Sequence, residues 1–155
     1  MEYEHLLLDR QLCFPLWAAA RKVTGLYRPV LEPLGLTYTQ YIVLLALWEK
    51  DGISVREIGE RLFLDSGTLT PLLKKLEAQG RVVRTRSTDD ERVVLVRLTD
   101  EGRALRERAS HVPFDVGSCV TLPADDAIQL HRILHALLSG DLDVGCERAG
   151  TSGAD

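Results

Sequence analysis

The chain has 155 residues, of which 45% are hydrophobic and 27% charged, as in an ordinary globular domain. No apolar run is long enough to cross a bilayer, and the acidic start MEYEHLLLDR lacks the basic region of a signal peptide. We therefore expect a cytoplasmic protein without a membrane partner. The formal net charge is −4, but residues 54–108 hold 12 Lys/Arg against 10 Asp/Glu. A DNA contact would lie in this least acidic third.

A long amphipathic helix is predicted over residues 12–34. Pro15 is tolerable in its first turn, and Pro29 is expected to kink it. Pro33 and Gly35 end it. The apolar residues recur at gaps of three and four, which is the spacing of one helix face. They are Leu12, Leu16, Ala20, Val23, Tyr27, Val30 and Leu34.

Three shorter helices are predicted over residues 41–49, 55–62 and 66–79. Each follows a residue whose side chain can cap the backbone N–H groups of a first turn, and Gly80 ends the third helix. Two short capped helices joined by a tight turn are typical of a helix-turn-helix, although the glycine usual in that turn is absent. The candidate caps are Thr37 or Thr39, then Ser54, then Asp65 or Ser66.

The helix at 66–79 divides into an apolar side and a polar side. Leu69, Leu72, Leu73 and Leu76 form the apolar side. Hydroxyl and ammonium groups on the opposite side suit base edges and phosphates, although a plain solvated helix has the same pattern. The candidate DNA contacts are Ser66, Thr68, Thr70, Pro71, Lys74 and Lys75.

A basic β-hairpin is predicted directly after this helix, from β-branched runs at residues 81–87 and 92–98. Arg84 and Arg86 share one face of the first strand by the two-residue period. Arg92 lies at the loop beside Asp89, Asp90 and Glu91, and a neighbouring carboxylate is expected to orient it. A hairpin after a helix-turn-helix is a wing, and an arginine near its tip can enter the minor groove.

Two more helices are predicted in the C-terminal third. Thr99 caps the first, which ends near Pro113. The second begins after Pro123 and ends at Gly140, and the stretch FDVGSCVTLP connects the two. Residues 141–155 have the composition of a disordered tail.

The run ISVREIGERLFLDSGTLTPLLKKLEAQGRVVRTRSTDDERVVLVRLTDEGR resembles the core of the MarR family of winged-helix regulators. The family's Asp-x-Arg wing motif stands at Asp90-Glu91-Arg92, followed by Leu98, Thr99 and Gly102. The resemblance covers most of residues 37–108. It implies an obligate homodimer, paired through its first and last helices, that binds a pseudo-palindromic operator in double-stranded DNA. Two recognition helices would then enter successive major grooves about 34 Å apart.

The expected fold is therefore mainly α with a small β-wing. Residues 1–140 are expected to form a single MarR-type domain. Its winged helix-turn-helix core spans 37–99, and its helical dimerisation region comprises 7–34 and 100–140.

Cys13 is the candidate sensor of this regulator. It lies near a helix N-terminus, where the helix dipole favours a thiolate, although a packed structural cysteine is the alternative. Tyr27 lies fourteen residues further on, about 21 Å away along one helix. In an antiparallel dimer it would instead reach the Cys13 of the partner chain, and Tyr38 would join it. Their hydroxyls would favour the charged thiolate.

The stretch LCFPLWAAARKVTGLYRPVLEPLGLTYTQYIVLLALWE resembles the organic-hydroperoxide branch of the family, the OhrR regulators. Cys13, Tyr27 and Tyr38 match that branch's sensing cysteine and its two tyrosine partners, and Pro15 is a departure from it. The resemblance implies that an organic hydroperoxide oxidises Cys13 and releases the operator. The gene controlled would encode a thiol peroxidase.

Cys119 is the candidate resolving cysteine, because some members of this branch carry a second cysteine in the C-terminal third. That cysteine condenses with the oxidised sensor across the dimer. An incidental loop cysteine is the alternative, and Cys146 in the tail is expected to be incidental. In a reducing compartment all three cysteines are thiols by default, so a disulfide among them would be transient or redox-sensing.

Three other functions are weighed against peroxide sensing. A ligand-released repressor would bind a small aromatic molecule in an apolar pocket lined by Trp17, Tyr27, Tyr38 and Tyr41. A thiol peroxidase would leave the wing unexplained, so no enzymatic activity is expected. His131 and His135 have the helical spacing of a shared metal, but surface histidines without a third ligand are commoner. No metal or cofactor is expected.

Overall fold

The computed structural model describes residues 3–140, which contain seven α-helices and three short strands. The chain divides into two compact units, residues 1–120 and residues 121–155. Two single turns of 3-10 helix, Glu4–Leu6 and Leu8–Arg10, precede the first α-helix. The α-helices are α1 Cys13–Leu31, α2 Tyr38–Glu49, α3 Val55–Leu62, α4 Ser66–Ala78, α5 Asp100–Arg108, α6 Val112–Cys119 and α7 Ala124–Ser139. The strands are β1 Ile53–Ser54, β2 Val82–Arg86 and β3 Val94–Leu98.

The first helix has the predicted bounds to within a turn. Pro15 is its third residue, where a proline removes no helical hydrogen bond, and the helix continues past Pro29 to Leu31. A 3-10 turn, Glu32–Leu34, follows, and Gly35 ends it in the left-handed conformation. No single helix within residues 3–140 is long and apolar enough to cross a membrane. The helical segment 13–34 reaches that length and apolar composition only when it is taken together with α2, and the two are bent by 76° relative to each other.

Side-chain caps define the starts of the middle helices. Thr37 caps α2 in a reciprocal capping box with Gln40, so the helix begins at Tyr38, three residues before the predicted start. Ser54 caps α3, Asp65 caps α4 and Thr99 caps α5, each by accepting a first-turn backbone N–H.

The sheet is antiparallel, with the strand order β1-β3-β2. In the predicted hairpin, Arg84 is opposite Val96 and Arg86 is opposite Val94. The two-residue β1 pairs Ile53 with Val96 on the other edge of β3. Sequence patterning does not predict β1, because two residues are too few for a period to be visible.

One hydrophobic core joins the winged helix to the end of α1. Leucines from α1, α2 and α4 pack with valines at the base of the wing, and α5 and α6 close the cluster. Fully buried members include Leu31, Leu44, Leu73, Val82, Val96 and Val112.

The connection predicted between the last two helices is wrong in part. Residues 112–119 form the helix α6, with Pro113 in its first turn rather than at the end of the preceding helix. Val112 and Val116, one helical turn apart, are its buried face, and α6 packs against α1.

Apolar side chains remain exposed at both ends of the described chain. Leu12 and Trp17 at the start of α1 are 67% and 57% exposed, whereas Leu31 at its end is fully buried. The residues of α7 form an amphipathic helix with no buried member within residues 124–139. A single chain thus leaves the two predicted dimerisation helices uncovered.

Candidate nucleic-acid interface and cysteine site

Helix α4 is the predicted recognition helix and is called the reading helix below. It packs one face into the core and exposes the other to solvent. Of the four leucines on the predicted apolar side, Leu69, Leu73 and Leu76 are buried and Leu72 is half-buried. The carboxylate of Asp65 accepts hydrogen bonds from the Thr68 backbone N–H at 2.9 Å and from its hydroxyl at 2.8 Å. These bonds lower the pKa of Asp65. All six candidate contacts are exposed, namely Ser66, Thr68, Thr70, Pro71, Lys74 and Lys75.

The turn between α3 and α4 explains the missing glycine. Its left-handed position is occupied by Phe63, at φ 53° and ψ 40°, and among residues 3–140 this is the one non-glycine residue with positive φ. The Gly59 carbonyl accepts the backbone N–H groups of both Phe63 and Leu64. A Cβ on Gly59 would lie 2.8 Å from the Leu64 carbonyl oxygen. The glycine that this turn requires is therefore Gly59, which allows a close approach of the backbone.

The wing is joined to α4 by an ion pair. The Arg84 guanidinium donates to Glu77 Oε2 from Nε at 2.9 Å and from Nη2 at 2.6 Å. The Arg84 backbone N–H donates to Oε1 of the same carboxylate at 3.0 Å. Sequence analysis predicts Arg84 as a DNA contact, but this guanidinium is occupied by Glu77. Arg84 thus sets the position of the wing against the reading helix.

Two of the wing arginines predicted to contact DNA are left unpaired by the fold of the described residues. Arg86 and Arg92 are exposed, and neither has an ion-pair partner within residues 3–140. Asp90, expected to orient the Arg92 guanidinium, instead accepts the Arg92 backbone N–H at 2.9 Å. Its carbonyl also accepts from Val93, so Asp90 shapes the turn from which Arg92 projects.

Replacing Glu77 with glutamine is expected to destabilise the fold, because it removes the charge that pairs with Arg84. The loss should be about 1 kcal/mol at neutral pH, since solvent screens a partly exposed ion pair. The hydrogen bonds from the Arg84 side chain are the main cause that lowers the pKa of Glu77 in the folded chain. The stabilisation is therefore present above the ordinary value of 4.5 and is lost as the pH falls through the folded pKa.

Urea unfolding of both proteins at neutral and acidic pH measures this effect. The difference between wild type and Glu77→Gln should shrink below pH 4.5. Other carboxylates titrate in both proteins and cancel in that difference. A gap that is constant with pH would show that Glu77 does not act through its charge.

The described cysteines are exposed free thiols at opposite ends of two helices. Cys13 is the first residue of α1, as predicted. Cys119 is the last residue of α6, not a loop residue, and its thiol donates to the Asp115 carbonyl oxygen at 3.4 Å. Cys146 lies outside the described residues.

The two predicted tyrosine partners lie together. The ring centroids of Tyr27 and Tyr38 are 4.8 Å apart, and Tyr41 lies 6.0 Å from Tyr27. Burial raises the pKa of Tyr38, and the neighbouring Tyr27 raises it further. The Tyr38 phenol therefore remains a neutral hydrogen-bond donor. Fourteen helical residues, about 21 Å, separate Tyr27 from the Cys13 of its own chain.

The pocket expected for an aromatic ligand is not lined as predicted. A cavity of about 740 Å³ opens between α1, the start of α2 and the end of α4, and Tyr38 lines it together with Arg21, Arg28 and Lys75. The other three predicted aromatics, Trp17, Tyr27 and Tyr41, are not among its lining residues. On α7, the His131 and His135 rings are 4.2 Å apart, and residues 3–140 contain no group of three metal-ligating side chains around them.

Two features of this region are not predicted from the sequence, namely the role of Glu77 and the left-handed conformation of Phe63. Glu77 lies on the half-buried edge of α4, and only the fold places it beside β2. Phe63 carries a weak signal, because it stands in the short connection before the N-cap Asp65, where a phenylalanine is unusual.

The model of the transcriptional regulator SarA/Rot family matches residues 25–108, which is more than half of the chain. The chain belongs to this family of transcriptional regulators. It is 44% identical over 137 residues to the organic hydroperoxide resistance transcriptional regulator of Bacillus subtilis, covering 88% of this chain and 93% of that one. The family model and this relative both describe transcriptional regulators rather than enzymes.

Solved structures of related regulators share the fold. Reduced AbfR bound to DNA, from a protein of Staphylococcus epidermidis, superposes with a TM-score of 0.73 at 37% identity, covering 90% of this chain and 98% of that one. AbfR in a disulfide form gives 0.61, also at 37% identity, over 89% and 97%. MarR of E. coli gives 0.69 at 31% identity, over 83% and 97%. The predicted MarR-type winged-helix fold is confirmed.

Proposed function

We propose that this SarA/Rot-family regulator is a cytoplasmic, homodimeric repressor that releases its operator when an organic hydroperoxide oxidises Cys13. The observation that carries the proposal is the exposed Cys13 thiol at the first residue of α1, in a winged-helix chain. The 44% identity to a hydroperoxide resistance regulator supports the nature of the signal.

The DNA-bound state uses two copies of the chain. Residues 7–34 and 100–140 would supply the dimer contacts, covering the exposed apolar side chains of α1 and α7. The polar face of α4 then enters the major groove, and Arg86 and Arg92 of the wing reach the adjacent minor groove. The proposed DNA contacts are the residues predicted from the sequence except Arg84, whose guanidinium is paired with Glu77.

The sensing step is a two-electron oxidation of sulfur. The Cys13 thiolate attacks the terminal oxygen of the hydroperoxide, the O–O bond breaks, and the alkoxide leaves and takes up a proton as an alcohol. Cys13 becomes a sulfenic acid. The hydroxyl groups of Tyr27 and Tyr38 from the other protomer donate hydrogen bonds to the thiolate, which neither can do within one chain.

The resolving step joins the two subunits. The Cys119 thiolate of the partner attacks the Cys13 sulfenic sulfur, forming an S–S bond and expelling water. The bond draws the start of α1 toward the end of the partner's α6, which changes the separation of the two reading helices. Both half-sites can then no longer be engaged together, so affinity falls. Two equivalents of a cellular thiol restore both cysteines.

Replacing Cys119 with serine is expected to prevent the covalent dimer while leaving oxidation of Cys13 intact. The sulfenic acid then persists, because its resolving thiol is missing. Non-reducing gel electrophoresis after hydroperoxide should show a dimer band for wild type and monomer only for Cys119→Ser. A dimedone label should add to Cys13 in the variant. A persisting dimer band in Cys119→Ser would assign resolution to Cys146.

The test of the whole proposal is a titration of fluorescent DNA from upstream of the protein's own gene. Anisotropy is read on the reduced protein, then after about one equivalent of cumene hydroperoxide, and then after excess dithiothreitol. We expect binding, loss of binding and recovery. Tight binding that ignores the hydroperoxide would retain the DNA-binding function and remove the sensing function.

A further inference from the structure

The turn residue Phe63 is an unexplained feature of the winged helix. Its backbone is in the left-handed region at φ 53°, where a side chain with a Cβ is strained and glycine is not. Its ring is 67% exposed. The fold thus holds a large apolar side chain in water, at a position where glycine would satisfy the backbone better.

The position of Phe63 places it between the two DNA-contacting elements. A groove of about 700 Å³ lies between α3, the start of α4 and the wing, and its lining includes Phe63, Ser66 of α4 and Arg92 and Val94 of the wing. Ser66 and Arg92 are candidate DNA contacts from sequence analysis. The groove is therefore continuous with the proposed DNA-binding surface on both sides.

The charges that line this groove leave one guanidinium unpaired. Arg56 pairs with Glu60 at 2.7 Å, and the Asp65 carboxylate accepts the hydrogen bonds that cap α4. Arg92 is the lining cation without an ion-pair partner among residues 3–140. One free guanidinium beside an apolar ring matches the alternation of phosphate and deoxyribose along a DNA strand.

We infer that one DNA strand lies in this groove and that the Phe63 ring packs against its deoxyribose, beside the Arg92 guanidinium that extends toward the minor groove. This inference rests on the proposed DNA binding and adds an apolar, sequence-independent contact to it. The contact removes the exposed ring from water only in the complex, which gives a reason for a phenylalanine at this turn.

The experiment compares Phe63→Gly, Phe63→Asn and Phe63→Tyr. Glycine and asparagine both tolerate the left-handed conformation and lack the ring, whereas tyrosine keeps the ring. We expect about fivefold weaker binding for the glycine and asparagine variants and near wild-type binding for the tyrosine variant. Their melting temperatures should equal or exceed that of wild type, because strain is relieved.

The salt dependence distinguishes an apolar contact from an ionic one. The slope of log affinity against log salt should be unchanged in Phe63→Gly, whereas Lys75→Ala should lower it by about one. The loss should be equal on the operator and on scrambled DNA, since a sugar carries no sequence. A loss confined to the operator would indicate a base contact and overturn the inference, as would a loss accompanied by a lower melting temperature.

The two proposals fail in different ways. Equal affinity of wild type and Phe63→Gly would overturn the Phe63 contact alone. Absence of DNA binding by wild type would overturn both. Hydroperoxide should still release Phe63→Gly from DNA, because the ring has no part in the cysteine chemistry.

Discussion

Replacing Cys13 with serine is expected to leave operator binding by the reduced protein within about twofold of wild type and to abolish its release by hydroperoxide. Serine preserves the shape of the first turn of α1, where Cys13 is exposed and makes no core contact. Its hydroxyl cannot form a sulfenic acid. Oxidised wild type should lose on the order of a hundredfold in affinity, because simultaneous engagement of two half-sites is lost.

Anisotropy titrations before and after hydroperoxide measure this effect. Cys146→Ser is the matched control, since it removes a thiol by the same chemistry and is expected to release DNA normally. Release of Cys13→Ser by hydroperoxide would assign sensing to another residue. Release by an aromatic carboxylate without oxidation would instead support the ligand-released repressor.

Replacing Gly102 with alanine is expected to destabilise the fold by about 3 kcal/mol. Gly102 is buried in the first turn of α5, and an added Cβ would lie 2.1 Å from the Arg81 carbonyl oxygen and 3.2 Å from Leu98. The Arg81 carbonyl also accepts the Thr99 backbone N–H at 3.1 Å, so it cannot retreat without breaking that bond. Arg81 is further tied to the Leu34 carbonyl oxygen through its guanidinium, at 2.6 Å.

Urea unfolding measures the effect, with Gly117→Ala as the control. Gly117 is also a helical glycine, in α6, but nothing lies within 4 Å of the Cβ it would gain. That variant should gain about 0.5–1 kcal/mol from helix propensity. If Gly102→Ala were as stable as wild type, the backbone at Arg81 would have to shift without cost. The operator affinity of the variant would then show whether the wing still contacts DNA.

Periodicity and caps together predict the helices α2 to α5, because each begins after a capping side chain. The division of α4 follows from its leucines alone, since side chains three and four apart share a face. The exposure of its hydroxyl and lysine residues follows in turn. The position of Cys13 at the start of α1 follows from Pro15, because a proline is tolerated in the first turn of a helix.

The contacts that join separate elements are not visible in the sequence. The period of two places Arg84 on a strand face, but only the packing of β2 against α4 brings Glu77 to its guanidinium. The helix α6 escapes prediction because it is two turns long and has a proline in its first turn, although Val112 and Val116 have helical spacing. The meeting of Tyr27 with Tyr38 depends on the turn at Gly35, which folds α2 back beside α1.

The ion pair between Glu77 and Arg84 affects how the regulator leaves its DNA. Because this pair stabilises the packing of the wing against α4, the two elements that contact one half-site are expected to move together. A displacement caused by oxidation of Cys13 should then detach the wing and α4 in the same step, without an intermediate held by the wing alone.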